Sequence, residues 1–168
     1  MEPWLRGTHT ELPAVLRGVV HALELCREDI EHWCGPLSDE ALNACPGTKP
    51  FELAPVAFHL RHIVRSLDRL LSYAEGKQLS PDQLAVLKTE LYAGATHNEL
   101  FSEFRSGIDD AIRRVQAFAG ADLEQARSVG RKALPTTLGG LLVHCADHTQ
   151  RHTGQAVLTA KLGLEVRD

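Results

Sequence analysis

Four long segments of this chain carry apolar side chains at helical spacing, and this pattern constrains the fold more than any other sequence feature. The segments cover about residues 10–33, 55–75, 96–118 and 138–162. In the first segment Leu16, Val19 and Leu23 recur every three or four residues, which places them on one face of a helix. No segment shows a strand pattern that competes with these helices. We therefore predict an all-α four-helix bundle, in which the four apolar faces bury one another.

Helix-breaking and capping residues mark the ends of these segments. Gly35 and Pro36 end the first helix, and Gly163 is placed to close the last one. Thr96 is followed three residues later by Glu99, a pairing typical of a capping box at the start of a helix. These signals predict where three of the four long helices begin or end.

The connections between the long helices are unequal. Residues 80–91 open with Ser-Pro-Asp-Gln and predict a short additional helix inside a long crossover between the second and third long helices. A short helical turn is expected over residues 38–43 in the first connection. Residues 120–135 are predicted to be a loop, after which either Thr136 or Thr137 can cap the last helix.

The composition is that of one globular domain over residues 1–168. Hydrophobic residues make up 43% and charged residues 24%, while the net charge of -4 is unfavourable for nucleic acid as a partner. No apolar run is long enough to cross a membrane, and none follows a basic patch at the N-terminus, so we expect a cytoplasmic protein without a membrane partner. Cys26, Cys34, Cys45 and Cys145 form no C-x-x-C pair and are expected to be free thiols.

Histidines stand where leucines would be expected on one face of the last helix. His148 and His152 are four residues apart, which places their imidazoles one above the other, as two ligands of one metal ion require. His144 lies one turn earlier, and Cys145 and Gln155 lie near the same face. The spacing is equally compatible with a solvated stripe, or with one buried histidine that a hydrogen bond satisfies. A metal site therefore needs a third ligand from another helix.

The second helix offers two candidates for that third ligand. His59 lies at the flank of the apolar stripe, whereas His62 lies further round, on a polar strip that includes Ser66. The helical wheel slightly favours His59, and it leaves His62 open to interpretation as a solvent-facing residue of an amphipathic helix. The residue pattern alone does not choose between them.

Two segments resemble the DinB/YfiT-like family of metal-binding four-helix bundles. The run DHTQRHTGQ is similar to the family signature H-x-x-x-H-x-G-Q, and PVAFHLRHIVRS resembles the segment in which a histidine about seven residues into the helix precedes an apolar pair. The resemblance covers nearly the whole chain. It implies His62, His148 and His152 as metal ligands, with His59 in reserve. Arg151 departs from the family, which often has a further histidine at that position.

Further side chains near the predicted ligands are weaker candidates. Ser66, Gln155 and His144 are placed to orient a ligand or a substrate. The alternative for Ser66 is an exposed helix serine, and for Gln155 a packing or capping role. Cys145 is a second reserve ligand or a metal-activated thiolate, or else a buried core residue, which is the usual place for a free cysteine.

Three neutral imidazoles leave a divalent ion its full charge and an open coordination position, as in catalytic sites. Zinc is the favoured ion, and nickel or iron is also compatible with imidazole ligands. The resemblance implies a metal-dependent thiol S-transferase that joins a low-molecular-weight thiol to an electrophilic small molecule, and we expect a homodimer. No residue is assigned as catalytic, and the sequence leaves open whether the protein is an enzyme.

Two other functions are compatible with the same residues. One is a metal-binding dimeric bundle without catalysis that acts as a stress-linked interaction module. The other is a metal-dependent hydrolase, which would need a general base beside the metal. Asp147 lies off the ligand face of the last helix, and this position disfavours the hydrolase.

Overall fold

Four long helices form the framework of the protein in a computed structural model that describes residues 1–49, 52–91 and 94–165. The long helices are α1 (Ala14–Cys34), α3 (Val56–Ala74), α5 (His97–Gln116) and α6 (Leu138–Glu165). The connections contain the short helices α2 (Asp39–Asn43) and α4 (Pro81–Val86), and single 3-10 turns cover Pro3–Leu5 and Leu87–Thr89. The prediction of an all-α bundle with a long crossover and a short additional helix is confirmed.

The long helices surround one core in the cyclic order α1, α6, α3, α5. Helix α6 packs against α1 and α3, and α5 packs against the other sides of the same two helices. Phe101, Phe104, Leu16 and Leu60 are among the largest side chains that are fully buried between them. Each such side chain contributes about 1.5–3 kcal/mol when it leaves water. Burial of the four apolar stripes therefore brings α3 and α6 side by side.

Side-chain caps fix the starts of α5 and α6. The hydroxyl of Thr96 accepts a hydrogen bond from the backbone N–H of Glu99 at 3.3 Å, and the Glu99 carboxylate accepts one from the N–H of Thr96 at 2.9 Å. Thr137 Oγ1 accepts a hydrogen bond from the N–H of Gly140 at 3.1 Å. The predicted capping box is confirmed, and of the two threonines before α6 it is Thr137 that caps the helix.

The prediction of a loop over residues 120–135 is wrong for the second half of this segment, where the chain forms a hairpin. Strand β1 (Ala126–Val129) pairs antiparallel with β2 (Leu134–Thr137). Gly130 (φ +71°) supplies a left-handed backbone conformation at the turn. Arg127 donates to the last carbonyl of α3, so the hairpin is tied to the end of that helix. Neither four-residue strand alternates apolar and polar side chains, so the sequence carries no strand signal there.

Two helix boundaries also differ from the prediction. Helix α1 begins at Ala14 rather than near residue 10, because Pro13 occupies the N-cap position with an extended backbone. Helix α6 continues past Gly163 to Glu165, so this glycine does not end the helix. Its φ does not lie in the left-handed region that a terminating glycine adopts.

The cysteines are free thiols, as predicted. Cys26, Cys34 and Cys145 are buried and Cys45 is exposed. Burial raises the pKa of each of the three buried thiols to about 12, which keeps them protonated and unreactive at neutral pH. Among the described residues, no helix combines the length and the apolar character needed to cross a membrane.

The close approach of α5 to α3 depends on Gly107. A Cβ atom at this position would lie 2.5 Å from the Cβ of Val64. Replacement by Ala adds helix propensity worth about 0.5–1 kcal/mol, but the overpacking costs about 1–3 kcal/mol. We expect Gly107→Ala to lower the free energy of unfolding by about 1 kcal/mol in urea titrations.

Gly18 provides the matched control, because it lies inside α1 with no heavy atom within 4 Å of an added Cβ. Gly18→Ala should raise the free energy of unfolding by about 0.5–1 kcal/mol. A similar gain for both variants would show that the contact between α3 and α5 tolerates a side chain at Gly107.

Candidate metal centre

Three histidines from two helices meet where α3 packs against α6. His62 of α3 lies opposite His148 and His152 of α6, and one ring nitrogen of each lies within 4.8 Å of the other two. The Nε2 atoms of His62 and His148 lie 3.3 Å apart. Among the described residues this is the one grouping of three side chains found that could hold a metal ion. The structure therefore brings together the three histidines that the family resemblance implied as ligands.

The environment keeps the α6 histidines neutral. The rings of His148 and His152 are half-buried. On the facing helix, Phe58 stacks on the neighbouring His62 with ring centroids 5.1 Å apart. Burial, helped by the neighbouring imidazoles, lowers the pKa of His148 and of His152 to about 4. Neutral imidazole is the form that binds a metal ion. At neutral pH His148 and His152 therefore present lone pairs and not positive charges.

His59, the reserve ligand, lies behind His152 and outside the group of three. It is only 5% exposed, and its Nδ1 lies 3.1 Å from the Nδ1 of His152. If His152 donates from Nδ1 to His59, the Nε2 of His152 keeps its lone pair for a metal ion. The geometry thus makes His59 a hydrogen-bond partner of His152.

A buried carboxylate holds the other nitrogen of His62. Glu90, which follows the 3-10 turn after α4, is 6% exposed, and its Oε2 lies 2.7 Å from His62 Nδ1. Burial alone would raise the pKa of Glu90, but hydrogen bonds from His62 and Arg69 hold it below its ordinary value. The sequence carries no signal for this residue, because only the path of the crossover brings it to α3.

Ser66, one of the candidates predicted from the sequence to orient a ligand, contacts His62. Its hydroxyl lies 3.3 Å from His62 Nε2 and accepts a hydrogen bond of 2.9 Å from Arg69. Ser66 is buried and not the exposed helix serine of the alternative interpretation. It is therefore placed to orient His62.

An open cavity of about 330 Å³ lies beside the histidines, between α3, α6 and the crossover. Its lining consists of His62, Ser66, Arg69, Leu70, Tyr73, Leu79, Leu87, His144 and His148. His144 stands at the rim, with 47% of its side chain exposed and its ring edge-on to His148 at 5.6 Å. The cavity combines an apolar wall with direct access to two of the three histidines.

The remaining candidates lie away from this centre. Cys145 is fully buried in the hydrophobic core and is not part of the group of three. Gln155 is exposed on α6 and does not line the cavity, so its role stays a prediction. Asp147 pairs with Arg151 at 2.8 Å on the outer side of α6.

The fold and the site together define a helical bundle with a candidate metal centre between facing helices. A sequence profile of the DinB superfamily matches residues 22–156, and the chain belongs to this superfamily. A crystal structure of a conserved protein from Enterococcus faecalis has a similar fold, with a TM-score of 0.63 and 19% identity over 90% of this chain and 98% of the other. At that identity the likeness establishes the fold alone. No curated protein was found to match the sequence.

The lowered histidine pKa values predict a pH-dependent stability for the metal-free protein. Histidine titrates near pH 6.5 in the unfolded chain, whereas the pKa of His59, lowered chiefly by burial, is about 4 in the folded chain. Between these values the unfolded chain binds more protons, so stability falls as the pH drops from about 6.5 to about 4. Urea titrations of chelator-treated protein at about pH 7 and about pH 5 measure this loss.

The variant His59→Leu removes one of the groups responsible and should lose less stability over the same pH interval. An identical loss in the variant and the wild-type protein would show that His59 is not held neutral by the fold.

Proposed function

We propose that His62, His148 and His152 bind one divalent metal ion, with zinc favoured, and that the protein is a metal-dependent thiol S-transferase. The observation that carries the proposal is the convergence of three imidazole nitrogens within 4.8 Å. Ligand nitrogens at about 2.0–2.1 Å from a tetrahedral zinc ion lie about 3.3 Å apart. The Nε2 atoms of His62 and His148 already have this separation, at 3.3 Å. The donor set therefore fits the ion.

The neutral ligands and the adjacent cavity both support thiol transfer at this site. Three neutral ligands add no negative charge, and a bound divalent ion lowers the pKa of a coordinated thiol so that the thiolate forms near neutral pH. The cavity beside His62 and His148 offers room for a second molecule. Leu70 and Leu87 form an apolar wall there, which favours the apolar body of an electrophile and disfavours water.

Thiol transfer suits this cavity better than hydrolysis. None of the described side chains that line the cavity is a carboxylate, and Glu90 is engaged by His62 and Arg69. A hydrolase needs a base to take the proton of the attacking water. In a thiol substitution the sulfur forms a bond to the electrophilic carbon, the leaving group departs with the electron pair of the broken bond, and the thiol proton passes to solvent.

Metal content tests the ligand assignment. Wild-type protein reconstituted with zinc should retain one equivalent after gel filtration. His148→Ala should weaken zinc binding by more than about 100-fold, because changes outside the ligand shell already cost 10–100-fold. Competition with a chelator of known affinity gives the comparison.

His144→Ala is the matched control, since it removes a histidine one turn away on the same helix whose side chain is 47% exposed. We expect this variant to bind zinc as the wild-type protein does. Unchanged binding by His148→Ala, or less than one equivalent in the wild-type protein, would contradict the assignment.

Activity is tested with four thiols, namely bacillithiol, mycothiol, glutathione and coenzyme A. Each is combined with an aryl chloride, an epoxide and an α,β-unsaturated carbonyl compound. We expect conjugation above the uncatalysed rate with at least one pair, abolished both by a chelator and by His148→Ala. Leu87→Asp places a charge on the apolar wall and should raise the KM for the electrophile while metal content is unchanged.

The assay also separates the alternatives. Stoichiometric zinc binding without conjugation of any thiol would favour the metal-binding bundle without catalysis. Metal-dependent ester or amide cleavage in place of conjugation would favour the hydrolase.

A further inference from the structure

We propose that Glu90 is a positioning residue of the metal centre, which fixes the tautomer of His62 and ties the crossover to the site. The inference rests on the proposed function in one respect, the role of His62 as a ligand. It assigns to Glu90 a function that no feature of the sequence pattern indicated.

The first support is the contact between the carboxylate and the ring. An ionised carboxylate only accepts hydrogen bonds, so the 2.7 Å contact from Glu90 Oε2 places a proton on His62 Nδ1. The neutral ring then has its lone pair on Nε2. That atom faces His148 Nε2 at 3.3 Å, so the tautomer selected by Glu90 is the one that can bind a metal ion.

The second support comes from the opposite side of the same ring. Arg69 can only donate, and it donates to Glu90 Oε1 at 2.8 Å and to the Ser66 hydroxyl at 2.9 Å. The Ser66 hydroxyl keeps its own proton, and with the Nδ1-protonated tautomer of His62 it donates this proton to Nε2 at 3.3 Å. The four side chains form a closed ring of hydrogen bonds, and every bond in the ring is consistent with one tautomer of His62.

The third support is the burial of Glu90 despite its position in the crossover. It lies 28 residues after His62, at the end of the crossover, yet its side chain is only 7% exposed. A buried carboxylate is costly unless it is paired, and both of its oxygens are occupied by groups of α3. When a carboxylate accepts a hydrogen bond from the outer nitrogen of a metal-binding histidine, its mutation typically lowers the metal affinity about 10–100-fold.

The test compares Glu90→Gln with Glu103→Gln. An amide has one accepting oxygen and presents its NH₂ group to a donor, so Glu90→Gln cannot satisfy both His62 and Arg69. Glu103 of α5 pairs with Arg65 of α3 at 2.6 Å, so Glu103→Gln weakens an ion pair on the same face of α3 that includes none of the histidines. We expect zinc affinity to fall about 10-fold or more in Glu90→Gln and to stay unchanged in Glu103→Gln.

A second readout follows the tautomer directly in metal-free protein. Long-range ¹H–¹⁵N NMR spectra distinguish protonated from unprotonated ring nitrogens. In the wild-type protein and in Glu103→Gln, His62 should have a protonated Nδ1 and an unprotonated Nε2. In Glu90→Gln a substantial share of the proton should move to Nε2. A purely structural role for Glu90 would change stability but neither the tautomer nor the zinc affinity.

If Glu90→Gln does not fold, Glu90→Asp takes its place in the test. The aspartate keeps the negative charge beside Arg69, but its shorter side chain does not reach His62 as well. It should therefore lose zinc affinity as well. Wild-type affinity and an unchanged tautomer in the folded variants would overturn the inference and leave the proposed function intact. Failure of the wild-type protein to bind zinc would overturn both.

Discussion

The packing of α3 against α6 is the contact on which the candidate site depends. Apolar side chains on both helices bury one another, and this fixes the height at which His62 faces His148 and His152. Burial of imidazole rings between two helices is energetically costly unless their nitrogens form hydrogen bonds or bind a metal ion. The hydrogen bonds to Glu90 and His59 satisfy the outer nitrogens of His62 and His152, and a shared ion would satisfy the inner nitrogens of all three rings. The hydrophobic core and the candidate metal centre therefore depend on the same contact between α3 and α6.

The spacing on α6 predicted two of the three converging histidines, because an interval of four residues determines a shared helix face before any tertiary contact is known. The choice of His62 on α3 needed the family resemblance. A helical wheel describes one helix against one core, and it placed His62 on a polar strip. In the structure that strip is covered by the crossover, so Ser66 is buried and His62 is half-buried. His59 does reach α6, but it contacts the outer nitrogen of His152.

Other parts of the structure had no local signal. Glu90 is an ordinary acidic residue at the end of a predicted short helix, and only the path of the crossover turns it into the partner of His62. The strands of the hairpin have four residues each, and one contains Pro135, so neither shows alternation. Gly163 resembles a helix terminator, yet α6 continues through it. Long periodic helices, caps and the histidine pair were predictable because each is determined by residues close in sequence.

The central claim is that one divalent ion binds between α3 and α6 through three imidazoles. Anomalous diffraction at the zinc edge from zinc-loaded crystals tests it most directly. We predict a single peak about 2.0–2.1 Å from one ring nitrogen of each of His62, His148 and His152. A peak bound instead by His59 or Cys145, or no peak between the two helices, would contradict it.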